Sequence, residues 1–146
     1  MYITRYTDYS LRVLMYLALK GEEQSTIREI ADSYNISKNH LMKVVHALSL
    51  KGYVIAQRGK NGGLRLSGHA KDINIGKLIR DIEKDSALVE CFNGGTGCIL
   101  TPACQLKTVL AIALEAFFKT LDKYSLADLA PKSHQPELTR LLGISN

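Results

Sequence analysis

The chain has 146 residues, of which 46% are hydrophobic and 23% are charged, and this composition excludes a disordered tail and a fibrous repeat. Lysine and arginine number 19 against 14 aspartates and glutamates, and the excess of +5 lies entirely in residues 1–68, which hold ten basic and five acidic side chains. Residues 69–146 hold nine of each. A basic first half indicates a polyanionic partner, and a neutral, apolar second half indicates burial or self-association.

Three helices are predicted in the first half. Apolar residues at helical spacing predict a helix over residues 4–20. Thr26 and Glu29 form a capping-box pattern that opens a short helix ending near residue 34. Ser37 is a good N-cap for a third helix that ends near residues 51–52. Two short helices joined by a tight turn are typical of a helix-turn-helix.

Two short strands are predicted after the third helix, over residues 53–55 and 64–66. In the connecting loop, Asn61 and Gly62 supply residues with positive φ for a hairpin, and the tip carries Arg58 and Lys60. A basic hairpin directly after a helix-turn-helix is the wing of a winged helix-turn-helix. The predicted fold is therefore mainly α, with a winged helix-turn-helix DNA-binding domain in residues 1–68.

The second half, residues 69–146, is predicted to be a cysteine-loop sensor and dimerisation region. A short amphipathic helix near residues 75–82 precedes a loop over residues 84–100, which has no helical period. Pro102 suits the first turn of a long helix that reaches about Tyr124 and carries a broad apolar stripe. The simplest cover for that stripe is a second copy of the chain, so we predict a homodimer with a long C-terminal dimerisation helix. The last dozen residues are expected to be loosely held.

The third helix and the wing carry candidate DNA contacts. A recognition helix presents its first turns to base edges, where asparagine pairs with adenine and lysine reaches guanine or phosphate. Basic side chains at a Gly-rich hairpin tip suit a phosphate track or the minor groove. We therefore expect a double-stranded DNA operator to be contacted by Ser37, Lys38, Asn39, His40, Lys43, Arg58, Lys60, Asn61 and Gly62. The alternative is a solvated basic face on a winged-helix adaptor that binds protein.

Three cysteines, Cys91, Cys98 and Cys104, fall within 14 residues. An odd number in so short a window does not form a closed disulfide framework. The apolar run over residues 11–19 has only nine residues and contains an arginine, so it is neither a secretory signal nor a membrane span. We expect a cytoplasmic protein without a membrane anchor, in which clustered reduced thiols serve metal or redox chemistry.

The cysteine spacing, with six and then five intervening residues, matches neither the pairs of zinc ribbons nor a thioredoxin motif. Three thiolates on a loop leading into a helix hold an iron–sulfur cluster if a fourth ligand arrives from elsewhere. Residues 94–97, rich in glycine, would let the chain bend so that the cysteines converge. The alternative is three unrelated buried cysteines.

Five segments in order resemble a known family. They are residues 7–12 (TDYSLR), residues 37–41 (SKNHL), residues 58–63 (RGKNGG), the three cysteines, and residues 121–124 (LDKY). The chain resembles the Rrf-two type of winged-helix transcriptional regulators over nearly its whole length, and most closely the nitric-oxide-sensing repressors of that family. The resemblance implies a dimeric repressor that holds an iron–sulfur cluster, 4Fe-4S or 2Fe-2S, and leaves its operator when nitric oxide attacks the cluster.

The resemblance also implies a ligand set. Cys91, Cys98 and Cys104 match the family's cluster cysteines, although the first spacing is longer than the four or five residues of several members. In the iron–sulfur-biogenesis members a histidine three residues after the last cysteine completes the site; here that residue is Lys107, which disfavours that variant. In nitric-oxide-sensing members the first-helix acidic residue of the other subunit can be the fourth ligand. The matching residue is Asp8.

Asp8 also stands four residues before Arg12, a spacing that predicts a salt bridge within one helix. The two interpretations are compatible and indicate a switch that involves Asp8 and Arg12. A thiol- or iron-responsive repressor of the same family without a stable cluster is the first alternative function. An enzyme is not expected, because the sequence shows no catalytic serine–histidine–aspartate set, no paired-carboxylate motif and no nucleotide loop.

Overall fold

The structure is a computed structural model that describes residues 3–84, 87–94 and 97–145. Within these residues the chain forms six α-helices and two β-strands. In chain order they are α1 (Arg5–Lys20), α2 (Ile27–Tyr34), α3 (Lys38–Leu50), β1 (Val54–Gln57), β2 (Gly63–Leu66), α4 (Ile75–Ile82), α5 (Gln105–Leu121) and α6 (Gln135–Leu141). Short 3-10 turns occupy Ala70–Asp72, Glu90–Asn93, Thr101–Ala103 and Leu126–Leu129.

The N-terminal ends of the three helices of the first half are capped differently, and the capping box predicted for α2 is confirmed. Thr4 caps α1, and its hydroxyl accepts a hydrogen bond from the backbone N–H of Thr7 at 3.3 Å. Thr26 and Glu29 form the reciprocal capping box, with bonds of 2.7 and 3.1 Å. Ser37 stands at the N-cap position of α3, but its side chain makes no capping hydrogen bond, so that part of the prediction was wrong.

The wing is an antiparallel hairpin in which Val54 pairs with Leu66 and Gln57 with Gly63. The prediction that Asn61 and Gly62 provide positive φ was wrong, because in this loop only Gly59 has positive φ, at 109°. Gly62 serves another purpose: a Cβ there would lie 2.1 Å from the Gln57 carbonyl oxygen. The hairpin closes tightly over β1, and only a residue without a side chain fits at that point.

One hydrophobic core joins the winged helix-turn-helix to the elements that follow it. Its central members from α1 and α3 are Val13, Leu14, Leu17, Leu41 and Leu48, each at most 1% exposed. Leu78 of α4 and Leu126 of the turn after α5 are equally buried and belong to the same cluster. The amphipathic pattern predicted for α4 is confirmed, since it buries Ile75, Leu78 and Ile79.

Helices α4 and α5 meet at Gly76. A Cβ on Gly76 would lie 2.9 Å from the backbone nitrogen of Asp122, just after α5. The Asp122 carboxylate binds the Arg80 guanidinium through two hydrogen bonds of 2.6 and 2.8 Å, which hold the pKa of Asp122 below its usual value. Arg80 also lies 4.5 Å above the ring of Phe118. The end of α5 is thus fixed on α4.

The C-terminal residues are ordered against the helix-turn-helix, contrary to the expectation of a loose end. Helix α6 places Thr139 in a buried position, and Leu142 and Ile144 pack against the core. The Ser33 hydroxyl of α2 donates to the Leu142 carbonyl oxygen at 2.8 Å. The apolar residues of this segment are the only sequence pattern that could have predicted its burial. The segment is too short for that pattern to be recognised without the surface that it covers.

Helix α5 begins later than predicted, and none of its residues is buried in the single chain. Pro102 belongs to a preceding 3-10 turn, and Cys104 is the N-cap of the helix. Residues 84–100 contain no α-helix within their described part, and Gly95 and Thr96 of the predicted bend lie outside the described residues. Among the residues described, no helix combines the length and apolar character needed to cross a bilayer.

Candidate DNA-reading surface and cysteine loop

Helix α3 divides its side chains between the core and the surface. Leu41, Val44, Val45 and Leu48 are buried. The opposite face exposes the predicted contacts Ser37, Lys38, Asn39, His40 and Lys43. No acidic residue lies on this helix, so its exposed face carries positive charge and hydrogen-bond donors. Such a face suits a polyanion with readable base edges.

The wing starts directly from the end of α3, where the Tyr53 N–H donates to the Leu48 carbonyl oxygen at 2.9 Å. Arg58, Lys60 and Asn61 are exposed at its tip, and Gly62 is half-buried. The base of the wing is fixed on α4, because the Tyr53 hydroxyl donates to Asp81 Oδ2 at 2.6 Å. Burial and this carboxylate raise the pKa of Tyr53, so its hydroxyl stays a donor at neutral pH.

A chain of contacts connects Asp8 with α3. Arg12 donates from Nε to Asp8 Oδ1 at 3.1 Å, and its Nη2 lies 2.9 Å from Oδ2, which confirms the salt bridge expected from the spacing. The guanidinium lies 5.9 Å from the centre of the Tyr9 ring. The Tyr9 ring in turn lies 6.3 Å from the ring of His40, an exposed residue of α3.

Arg12 has a second aromatic neighbour in Tyr34, the last residue of α2. Its guanidinium lies 5.8 Å from the Tyr34 ring centre, and the Tyr34 hydroxyl donates to the Arg12 carbonyl oxygen at 3.0 Å. Burial raises the pKa of Tyr34 to about 12, which keeps the hydroxyl protonated. Neither Tyr9 nor Tyr34 was predicted from the sequence to be a functional residue. Tyr9 could have been found from its spacing of three residues before Arg12, whereas Tyr34 lies on another helix.

The Asp8 side chain is accessible from outside the protomer. It is 45% exposed, although it is paired with Arg12. Together with Ile3, Arg5 and Leu11 it lines an open concavity of about 500 Å³. A segment of another chain could therefore reach the carboxylate without displacing the core.

The three cysteines are free thiols, and Cys91 and Cys104 are half-buried. Cys91 lies in the turn Glu90–Asn93, Cys98 is exposed, and Cys104 caps α5. The Lys107 N–H donates to Cys104 Sγ at 3.4 Å. Within the described part of this protomer, no three cysteine, histidine, aspartate or glutamate side chains are close enough to hold a metal ion.

Comparison with known proteins gives consistent matches. The model of the Rrf2 family, described as an iron-dependent transcriptional regulator, matches residues 3–132. The chain is similar to the HTH-type transcriptional regulator NsrR of Bacillus licheniformis, with 53% identity over 144 residues, 97% of this chain and 99% of the relative. It is also similar to NsrR of Oceanobacillus iheyensis, with 48% identity over 146 residues, 99% of this chain and 98% of the relative.

Solved structures agree on the fold. The structure of CymR, the global cysteine regulator of B. subtilis, has a TM-score of 0.68 and 28% identity, and the match covers 89% of this chain and 96% of that one. T. potens IscR has a TM-score of 0.74 at 22% identity, covering 94% of this chain and 91% of that one, and this supports the fold alone.

Proposed function

Since this chain belongs to the Rrf2 family of transcriptional regulators, we propose that it is a dimeric repressor whose hold on DNA is controlled by an iron–sulfur cluster that nitric oxide attacks. The chain is a DNA-binding transcriptional regulator and not an enzyme. The observation that carries the control mechanism is the chain of contacts from Asp8 through Arg12 and Tyr9 to His40. It joins a candidate metal ligand to the helix that reads DNA.

In this proposal α3 enters the major groove and the wing follows the adjacent backbone. Asn39 and the lysines of α3 have the donors and acceptors that pair with adenine, guanine or phosphate. Arg58 and Lys60 provide charge at the wing tip. The proposed DNA contacts are Ser37, Lys38, Asn39, His40, Lys43, Arg58, Lys60, Asn61 and Gly62, all exposed except the half-buried Gly62.

Replacing Lys43 with alanine should weaken binding to an operator duplex about tenfold and lower the slope of log Kd against log salt by about 1, because one phosphate contact is lost. The duplex is one that the wild-type protein selects from a random-sequence pool. Lys123→Ala removes the same charge from an exposed position beyond α5 and should change neither quantity. Equal losses in both variants would place the interface elsewhere, and a wild-type affinity without salt dependence would favour a protein-binding adaptor.

A second copy of the chain is the proposed cover of α5. Its surface exposes Leu106, Val109 and Ile112 at 65%, 59% and 65%, and Ile99 and Leu100 before it are exposed at 93% and 65%. Several large apolar side chains on one face of a long helix are normally buried against a partner surface. A symmetric pair would cover it on both copies and place two recognition helices on one DNA duplex.

The proposed cluster ligands are Cys91, Cys98 and Cys104 of one protomer and Asp8 of its partner. The donor chemistry fits, because three free cysteine thiols lie on the loop that leads into α5. A 4Fe-4S or a 2Fe-2S cluster suits three thiolates and one carboxylate. When bound, the cluster supplies iron that reacts with nitric oxide.

The proposed switch is a choice of partner for Asp8. In the protomer described here, Asp8 binds Arg12 of its own helix. When Asp8 instead binds at the partner's cysteine loop, the Arg12 guanidinium loses its carboxylate and its position against Tyr9 and Tyr34 changes. Because Tyr9 contacts His40, that change reaches α3. Asp8 bound to Arg12 and Asp8 bound at the partner's cysteine loop thus favour different positions of the DNA-reading helix. A signal that stabilises one of these two states shifts the equilibrium between them.

The deciding experiment is an anaerobic purification followed by titration with nitric oxide. We expect visible absorption from the cluster, binding to the selected operator duplex, and release of that duplex as nitric oxide is added. A colourless protein that releases DNA after thiol oxidation would instead support the thiol-responsive alternative. A coloured protein that keeps its DNA after reaction with nitric oxide would refute the proposed signal.

A further inference from the structure

The carboxylate of Glu83 binds the first turn of α1 across a sequence distance of more than 75 residues. Its Oε1 accepts a hydrogen bond from the Thr4 N–H at 2.9 Å and another from the Thr4 hydroxyl at 2.6 Å. The hydroxyl of Thr7, a fully buried residue, donates to the same oxygen. The first N–H groups of a helix have no partner within the helix, and a negative charge there is favourable. We call these three hydrogen bonds the Glu83 clasp.

The clasp connects two segments that matter for the proposed switch. Glu83 is the C-cap of α4 and stands where the chain leaves that helix for the cysteine loop. Thr4 is the N-cap of α1 and Thr7 lies in its first turn. Asp8 follows Thr7 directly, and its N–H donates to the Thr4 carbonyl oxygen at 3.0 Å. The start of the cysteine loop and the turn that carries Asp8 are therefore joined within one protomer.

Packing alone does not fill the space beside the clasp. A cavity of about 800 Å³ opens between the start of α1, the end of α4 and α5, and Thr4 and Glu83 form part of its wall. Leu114 and Phe117 of α5 also line this cavity. Next to this open space, the three hydrogen bonds of the Glu83 clasp connect the start of α1 with the end of α4.

We propose that Glu83 is the positioning residue that holds the first turn of α1, and with it Asp8, in a fixed place relative to the cysteine loop of its own protomer. The proposal rests on the proposed function, because the purpose of the clasp is to present Asp8 to the partner's loop. The proposed ligation by Asp8 connects two protomers, and the Glu83 clasp adds a connection within each of them. A shift at the base of the cysteine loop moves Glu83, and Glu83 moves the turn that carries Asp8.

The test compares Glu83→Met with Glu83→Gln. Methionine has a similar length but accepts none of the three hydrogen bonds, whereas the glutamine carbonyl oxygen still accepts them. In the cluster-free protein, amide hydrogen exchange at Thr7 and Asp8 should become on the order of tenfold faster in Glu83→Met and stay near the wild-type rate in Glu83→Gln. In the reconstituted protein, a chelator should remove iron about tenfold faster from Glu83→Met than from Glu83→Gln.

Tyr53→Phe is the matched control, because it removes a hydrogen bond to the same end of α4 without touching α1. It should leave hydrogen exchange at Thr7 and Asp8 unchanged. If Glu83→Met does not fold, Thr7→Val removes one donor of the clasp at constant volume and should give faster exchange at Asp8. Wild-type exchange at Thr7 and Asp8 in a folded Glu83→Met or Thr7→Val protein overturns the proposal. That result leaves the proposed function intact, which the nitric oxide titration of the wild type tests separately.

Discussion

An Asp8→Ala protein should remain a folded DNA-binding dimer but lose most of the effect of the cluster on operator affinity. The effect is measured as the ratio of the operator Kd of the cluster-free protein to that of the cluster-bearing protein. We expect about 100-fold for the wild type and less than about tenfold for Asp8→Ala, as for a coupling of a few kcal/mol between two sites. The reason is that alanine neither ligates the partner's cluster nor binds Arg12, so both states of the switch lose their distinguishing contact.

Net charge must be separated from ligation in this experiment. Removing any carboxylate raises the attraction to DNA, so Glu22→Ala, an exposed residue just after α1, is the control with the same charge change. Its affinity ratio should equal that of the wild type. A companion variant, Arg12→Gln, keeps Asp8 as a ligand but breaks the connection to Tyr9 and His40. It should retain the cluster and show a reduced ratio. An Asp8→Ala protein with the wild-type cluster content and the wild-type ratio would contradict ligation by Asp8.

Ile112→Glu should convert the proposed dimer to a monomer and reduce operator affinity at least about 100-fold. Ile112 is 65% exposed in the single protomer, in the middle of the apolar surface of α5. Burying an isoleucine contributes about 1.5–3 kcal/mol, and a two-fold interface counts the substitution twice, so dimerisation weakens by about 4 kcal/mol or roughly 1,000-fold. A monomer binds one half-site and loses the benefit of two recognition helices held about 34–36 Å apart.

Sedimentation and DNA titration of the cluster-free protein measure both effects without involving the cysteines. Leu141→Glu is the matched control, because Leu141 of α6 is 63% exposed and also apolar. That variant should sediment as the wild type and bind the operator with the wild-type affinity. If Ile112→Glu stays dimeric while Leu141→Glu dissociates, the interface lies on the C-terminal helix and the role proposed for α5 is wrong.

The amino-acid sequence by itself determined the elements whose signals are local. Apolar spacing and the caps Thr4 and Thr26 define α1 and α2, because each helix end must satisfy its first N–H groups nearby. The exposed basic face of α3 follows from the same periodicity, since burying Leu41 and Leu48 turns Lys38 and Lys43 outward. The spacing of Asp8 and Arg12 correctly predicted their ion pair. The sequence also supplied the three thiols, although not their arrangement.

The tertiary structure decided every contact between residues distant in the chain. The Glu83 clasp, the Tyr9–His40 contact and the bond from Ser33 to Leu142 join elements that share no periodicity. Even the conformation of the wing turn depended on the pairing of β1 with β2. In this register Gly59 takes the positive φ, and position 62 requires a glycine because its backbone lies close to the Gln57 carbonyl oxygen. Local patterns record only the preference of each segment for its own conformation. Which side chains meet depends on how the segments pack around the common core, and that packing brings α4 and the C-terminal residues onto the winged helix-turn-helix.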